Sequence, residues 1–93
     1  MNKRAHIIMR SDVDGVGFRF LVKQKAQSLG LKGQCKQNNE KDIMIDIEGN
    51  TKSMEEFIQF FQKGVSPFMK NNSFEIEFFE DLIGYTTMET DIV

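Results

Sequence analysis

Hydrophobic and polar positions change their period several times along the chain, and each change marks an element. From Arg4 to Arg10, Ala5, Ile7 and Met9 fall on one side and His6, Ile8 and Arg10 on the other, the alternation of a first strand. Ser11 to Gly17 breaks that period with two glycines and two aspartates, residue types that favour a turn. Phe18, Leu21, Val22, Ala26 and Leu29 then recur at helical spacing, which predicts a helix from about Gly17 to Leu29 with Gly30 as its stop. Leu31 to Gln37 and Asp42 to Glu48 read as a hairpin around Asn38-Asn39-Glu40-Lys41, and Ile43, Ile45 and Ile47 alternate clearly against Met44 and Asp46. Gly49-Asn50 closes the hairpin. Thr51 or Ser53 can cap a second helix, in which Met54, Phe57, Ile58 and Phe61 form one face, Glu56 completes a capping box from Ser53, and Lys63-Gly64 ends the helix. After a Ser66-Pro67 turn, Ser73 to Phe79 alternates Phe74, Ile76 and Phe78 against Glu75 and Glu77, a strand with one wet face. The tail from Thr86 to Val93 adds a short edge strand.

Strand, helix, strand, strand, helix, strand is the split βαβ order. It predicts an α+β, ferredoxin-like sandwich: an antiparallel sheet with two helices on one face. A chain of 93 residues is expected to fold as a single domain over 1–93, and 40% apolar residues with nine Phe supply its core. Cys35 is the single cysteine, so packing rather than an intramolecular disulfide holds the domain, which suits a reducing compartment. Asn2-Lys3-Arg4 is basic, but the run Ala5 to Met9 is interrupted by His6 and too short for a leader or a membrane span. A cytoplasmic protein with no membrane partner is expected, and a monomer.

Twelve basic residues are scattered among fourteen acidic ones, without the basic stripe that nucleic acid would require, so no nucleic-acid partner is expected. Charge is nevertheless uneven. Residues 2 to 36 are mostly basic, whereas Glu75, Glu77, Glu80, Asp81, Glu89 and Asp91 make the tail acidic and read as a solvated edge. An anionic ligand should therefore bind near the first half.

In Val13-Asp14-Gly15-Val16-Gly17-Phe18-Arg19, glycines at a strand-to-helix turn allow successive amides to point at one spot, and such a nest binds anions. The helix that follows adds its own amides and dipole, and Arg19 supplies a planar, permanently charged fork. An arginine in a first turn opposes the dipole by about 0.3–1 kcal/mol, which suggests an anion beside it. The plainer reading of the same residues is a glycine turn followed by a surface arginine. Asp12 and Asp14 could be read as a cation site, but two carboxylates without further clustered oxygens make a poor calcium loop, so no metal is expected. His6 reads as a solvent-facing or helix-packed side chain, and Cys35 as a small buried residue.

The same seven residues resemble the Val-Gln-Gly-Val-Gly-Phe-Arg signature of acylphosphatases, differing at Asp14. Leu29-Gly30-Leu31-Lys32-Gly33, Glu48-Gly49, Glu55-Glu56-Phe57, Lys63-Gly64 and Gly84-Tyr85 carry the similarity over essentially the whole chain. The resemblance implies hydrolysis of a carboxyl-phosphate anhydride to carboxylate and phosphate with no metal or cofactor, on a small acyl phosphate, with inorganic phosphate as the other ligand of the site. It implies phosphate binding by Asp14, Gly15, Val16, Gly17, Phe18 and Arg19, chiefly through loop amides and the Arg19 side chain. It also implies a water-orienting amide at the position where the family carries Asn and this chain has Gln37. Asn38 could replace Gln37 there only through a bulge, since one step along a strand reverses the side chain. Asp12, where the family commonly has a basic residue, and Asp14 both oppose anion binding unless they face solvent. Two functions remain open: an acylphosphatase-type hydrolase, with activity reduced by Gln37, or a catalytically impaired relative that binds a small anion or a partner protein.

Overall fold

A computed structural model describes residues 2–9, 16–38, 40, 42–62 and 74–91, of which Val16, Phe61, Gln62 and Phe74 are described by their backbone alone. Its elements are β1 (Asn2–Met9), α1 (Val16–Ser28), β2 (Lys32–Gln37), β3 (Ile43–Asn50), α2 (Thr51–Gln62), β4 (Phe74–Phe79) and β5 (Met88–Thr90). The strands lie in the order β4-β1-β3-β2-β5. The first four pair antiparallel as expected, but β5 runs parallel to β2, so the sheet is mixed rather than wholly antiparallel. The chain leaves β4 at one rim of the sheet and must cross the sheet to reach the other, and β5 arrives there running in the direction of β2.

Period-two patterning fixes which face is buried. Ala5, Ile7 and Met9 of β1 stand opposite Ile47, Ile45 and Ile43 of β3, and Cys35 of β2 stands opposite Ile45. Phe18, Val22 and Ala26 of α1 and Met54 and Phe57 of α2 pack on this one face. Each isoleucine sealed there contributes about 1.5–3 kcal/mol relative to exposure. Gly33 of β2 packs so tightly that a Cβ would lie 1.8 Å from the Asp46 carbonyl oxygen.

Helix ends follow local chemistry. Gly30, at φ 73°, terminates α1; Leu31 N donates to Ala26 O at 2.9 Å and Gly30 N to Gln27 O at 3.1 Å, the paired bonds of a Schellman stop. The cap of α2 is Asn50, whose Oδ1 accepts from Lys52 N at 2.8 Å, rather than Thr51 or Ser53; β3 runs directly into the helix and brings Asn50 to the capping position. Leu21 and Phe78, both expected in the core, are exposed. Leu21 lies on the outer flank of α1 beside Phe60 of α2, and Phe78 on the rim strand lines an open groove with Lys3, Met54 and Ile58. Arg10, the helix stop at Lys63-Gly64 and the Ser66-Pro67 turn lie outside the described residues.

The face without helices is covered by the chain itself. Residues 80–87 cross it, and polar side chains hold them down. Glu48 is buried, and its carboxylate accepts from the amides of Ile83, Gly84 and Tyr85 at 2.8, 2.8 and 2.6 Å. Asp46 accepts from the Tyr85 hydroxyl at 2.6 Å and from Arg4 Nη1 at 2.9 Å. Arg4 Nε donates to Asp81 O at 3.1 Å, and its guanidinium stacks 4.2 Å from the centre of the Phe79 ring. His6 lies on this face, with Nδ1 3.5 Å from Asp46 Oδ1.

Burial, followed by the hydrogen bond to Asp46 and the charge of that carboxylate, pushes the Tyr85 hydroxyl up from 10.0 to about 12, while Arg4 opposes the shift. The fold therefore prefers the neutral phenol. Absorbance titration of this single tyrosine should give a midpoint near 12, and a midpoint near 10 would show that Asp46 does not hold it. Tyr85→Phe should lower stability by about 1 kcal/mol. That loss is constant below pH 10 and shrinks as the pH rises from 10 towards 12.

Candidate anion-binding site

Arg19 lies in the first turn of α1, on the same stripe as Val22 and Ala26, and that stripe faces the sheet. Its side chain is 8% exposed, which corrects the reading of a surface arginine. A guanidinium in that position requires a partner, because an unpaired buried charge is costly. Nη1 donates to Oδ1 of Asp91, the residue that follows β5.

Backbone bonding carries Asp91 to this place. Gly33 N donates to Thr87 O at 2.9 Å, Gly33, Gln34 and Cys35 pair with Met88, Glu89 and Thr90, and Asp91 N donates to Cys35 O at 3.3 Å. The second carboxylate oxygen, Oδ2, accepts from the main-chain amide of Gln37 at 3.0 Å. One carboxylate thus bridges a guanidinium and an amide, the pattern by which a phosphoryl group would be held. Desolvation by burial raises the Asp91 carboxyl, but the Gln37 amide and the Arg19 guanidinium outweigh it and leave the group below its ordinary 3.8.

Gln37 ends β2 on the parity of Gly33 and Cys35, opposite Ile43, so it belongs to the helix-bearing face that also carries Arg19. The structure therefore brings the two predicted side-chain positions to one place, with Asp91 between them. Asn38 does other work: its Oδ1 accepts from Glu40 N and Asp42 N, both at 2.9 Å, and so shapes the β2–β3 turn. Cys35 is fully buried, and desolvation pushes its thiol up to about 12 even though Arg19 acts in the other direction. It stays protonated and is a poor nucleophile.

Of the predicted phosphate-binding run, Asp14 and Gly15 lie outside the described residues, as does Asp12. Val16 opens α1. Gly17 sits inside the first helical turn rather than in a loop, with open space where a Cβ would stand. The Phe18 side chain is core, so it does not face a ligand. Among the described residues, no three His, Cys, Asp or Glu side chains gather as a metal site, and no helix is long and apolar enough to cross a membrane.

Asp91 escapes sequence reasoning because it lies 72 residues from Arg19 and its neighbours read as a wet edge. The one signal was indirect: an arginine on the apolar stripe of α1 needs an acid, and the tail is rich in acids.

A ferredoxin-like α+β domain with an arginine at the start of its first helix, facing an anionic group, defines the class. A family model described as acylphosphatase matches residues 5–89, and the chain belongs to the acylphosphatase family. An acylphosphatase of Bacillus pumilus is 33% identical over 72 residues, covering 77% of this chain and 79% of that one. An acylphosphatase of Bacillus licheniformis is 34% identical over 79 residues, covering 85% and 87%. The crystal structure of acylphosphatase from Bacillus subtilis superimposes with a TM-score of 0.81 at 25% identity, covering 95% of this chain and 97% of that one.

Because the native Asp91 carboxyl lies below 3.8, its stabilising contribution is complete above that pH and is lost as the pH falls through the lower native value. Asp91→Asn should therefore be less stable than the wild type at neutral pH, and the two melting temperatures should converge below pH 3.8. Parallel curves across that range would show that Asp91 is not ionically held.

Proposed function

We propose that the chain is an acylphosphatase-type hydrolase, which cleaves the carboxyl-phosphate bond of a small acyl phosphate. The observation that carries this reading is the convergence of Arg19 Nη1 and the Gln37 main-chain amide on a single carboxylate, since groups that hold one oxyanion are suited to hold another. Family membership supports the same chemistry.

In this mechanism the Arg19 fork and the amides of Asp14, Gly15, Val16, Gly17 and Phe18 receive the phosphoryl oxygens. Helix α1 directs its positive end at the same charge. The Gln37 side-chain amide orients water for attack on phosphorus. As the new P–O bond forms, the bond from phosphorus to the carboxylate oxygen breaks and its electron pair leaves with the carboxylate. A water proton passes to the phosphate or to solvent. Charge spreads over the phosphoryl oxygens in the transition state, where fixed donors act most strongly. A carboxylate is a good leaving group, so no strong general base is demanded.

The second reading, a catalytically impaired relative that binds a small anion, draws on Asp91, which occupies a donor of Arg19. Hydrolysis of benzoyl phosphate separates the two. The wild type should release phosphate, and Arg19→Ala should lower kcat/KM by about 100-fold or more. Gln37→Asn removes one methylene from the water-orienting arm and should raise kcat if reach limits the rate. Release by neither the wild type nor the Gln37→Asn protein would favour the silent binder, and release by Gln37→Asn alone would assign the defect to Gln37.

A further inference from the structure

The Asp91 carboxylate sits outside Arg19: its side chain is 32% exposed, against 8% for the arginine. A ligand arriving from solvent therefore meets the aspartate before this face of the guanidinium. Both Asp91 oxygens are engaged by donors suited to phosphate, Oδ1 by Arg19 Nη1 and Oδ2 by Gln37 N. We propose that Asp91 is a tethered competing anion, so that a phosphoryl group takes Arg19 Nη1 and the Gln37 main-chain amide only by displacing the aspartate. The inference rests on the reading of Arg19 as a phosphate ligand and adds the Gln37 amide to the anion subsite.

Tethering gives the competitor its strength. A free anion must be drawn from solution, whereas Asp91 is held by its own backbone at an effective concentration on the order of millimolar or more. Its tether is also the shortest of the described strands. β5 has three residues, and just beyond it a 3.3 Å bond from Asp91 N to Cys35 O holds the aspartate backbone against β2. Rotation about the Asp91 Cα–Cβ bond, or release of that last bond, withdraws the carboxylate without disturbing β1, β3 or the helices. Cys35 lies beneath the site and takes no part, since its thiol remains neutral.

Displacement and simple positioning make opposite predictions. If Asp91 merely orients Arg19, its removal weakens phosphate binding; if it competes, its removal strengthens binding. The test is titration of full-length wild type and Asp91→Asn with inorganic phosphate, by calorimetry at constant ionic strength. Competition predicts binding by Asp91→Asn about five-fold tighter, the gain expected from losing a partly exposed charge pair. A measurement on the wild type alone keeps the proposal testable if the variant folds poorly. Phosphate saturation should shift the NMR resonances of the Gln37 main-chain amide and the Asp91 side-chain carboxyl together. Binding by Asp91→Asn that is equal or weaker, or wild-type saturation that leaves both resonances in place, overturns the competition and leaves the hydrolase reading standing. No phosphate binding by either protein overturns both.

Discussion

A buried carboxylate on the helix-free face of the sheet organises the functional end of the molecule. Glu48 points away from the helices, and desolvating such a group without partners would cost several kcal/mol. Three successive amides, those of Ile83, Gly84 and Tyr85, satisfy it. That satisfaction pins the crossing segment, and Asp46 and Arg4 reinforce it through Tyr85 and Asp81. Once the crossing is fixed, the chain reaches β2 from a set direction, β5 pairs in register, and Asp91 lands against Arg19. Residues on one face of the sheet thereby determine what approaches the site on the other.

The site itself sets stability against access. Arg19 lies on the core-facing stripe of α1 and needs an anion. Asp91 supplies one in the resting protein, while a phosphoryl group would supply one during turnover. In the proposed mechanism, the same carboxylate that makes the arginine tolerable near the core would compete for it. Under that proposal, a buried guanidinium serves both the fold and the ligand.

Much of the architecture was legible in the sequence because it depends on periodicity. Alternating Ile43, Ile45 and Ile47 placed the central strand, the spacing of Phe18, Val22 and Ala26 placed α1, and Gly30 marked its end. What escaped depends on contacts between distant segments. The parallel direction of β5 follows from the crossing, which no local pattern encodes. The roles of Asp46 and Glu48 were not legible because the segment that covers them lies more than thirty residues away. Arg19 and Gln37 were singled out through chemistry and family resemblance, and the structure sets both beside Asp91. Asp91 was hidden among acids that are solvated for the most part, and only the burial of Arg19 separates it from them.

The short final strand has a further effect on the molecule's social behaviour. By occupying the outer hydrogen-bonding groups of Gly33, Gln34 and Cys35, it acts as a selvedge along β2, a margin that would otherwise be a template for another chain. The opposite margin, β4, carries Glu75 and Glu77, whose like charges discourage two copies from stitching together there. Three residues therefore guard the protein against fibrous self-assembly, and any motion that lifts them to admit a ligand also briefly exposes that seam.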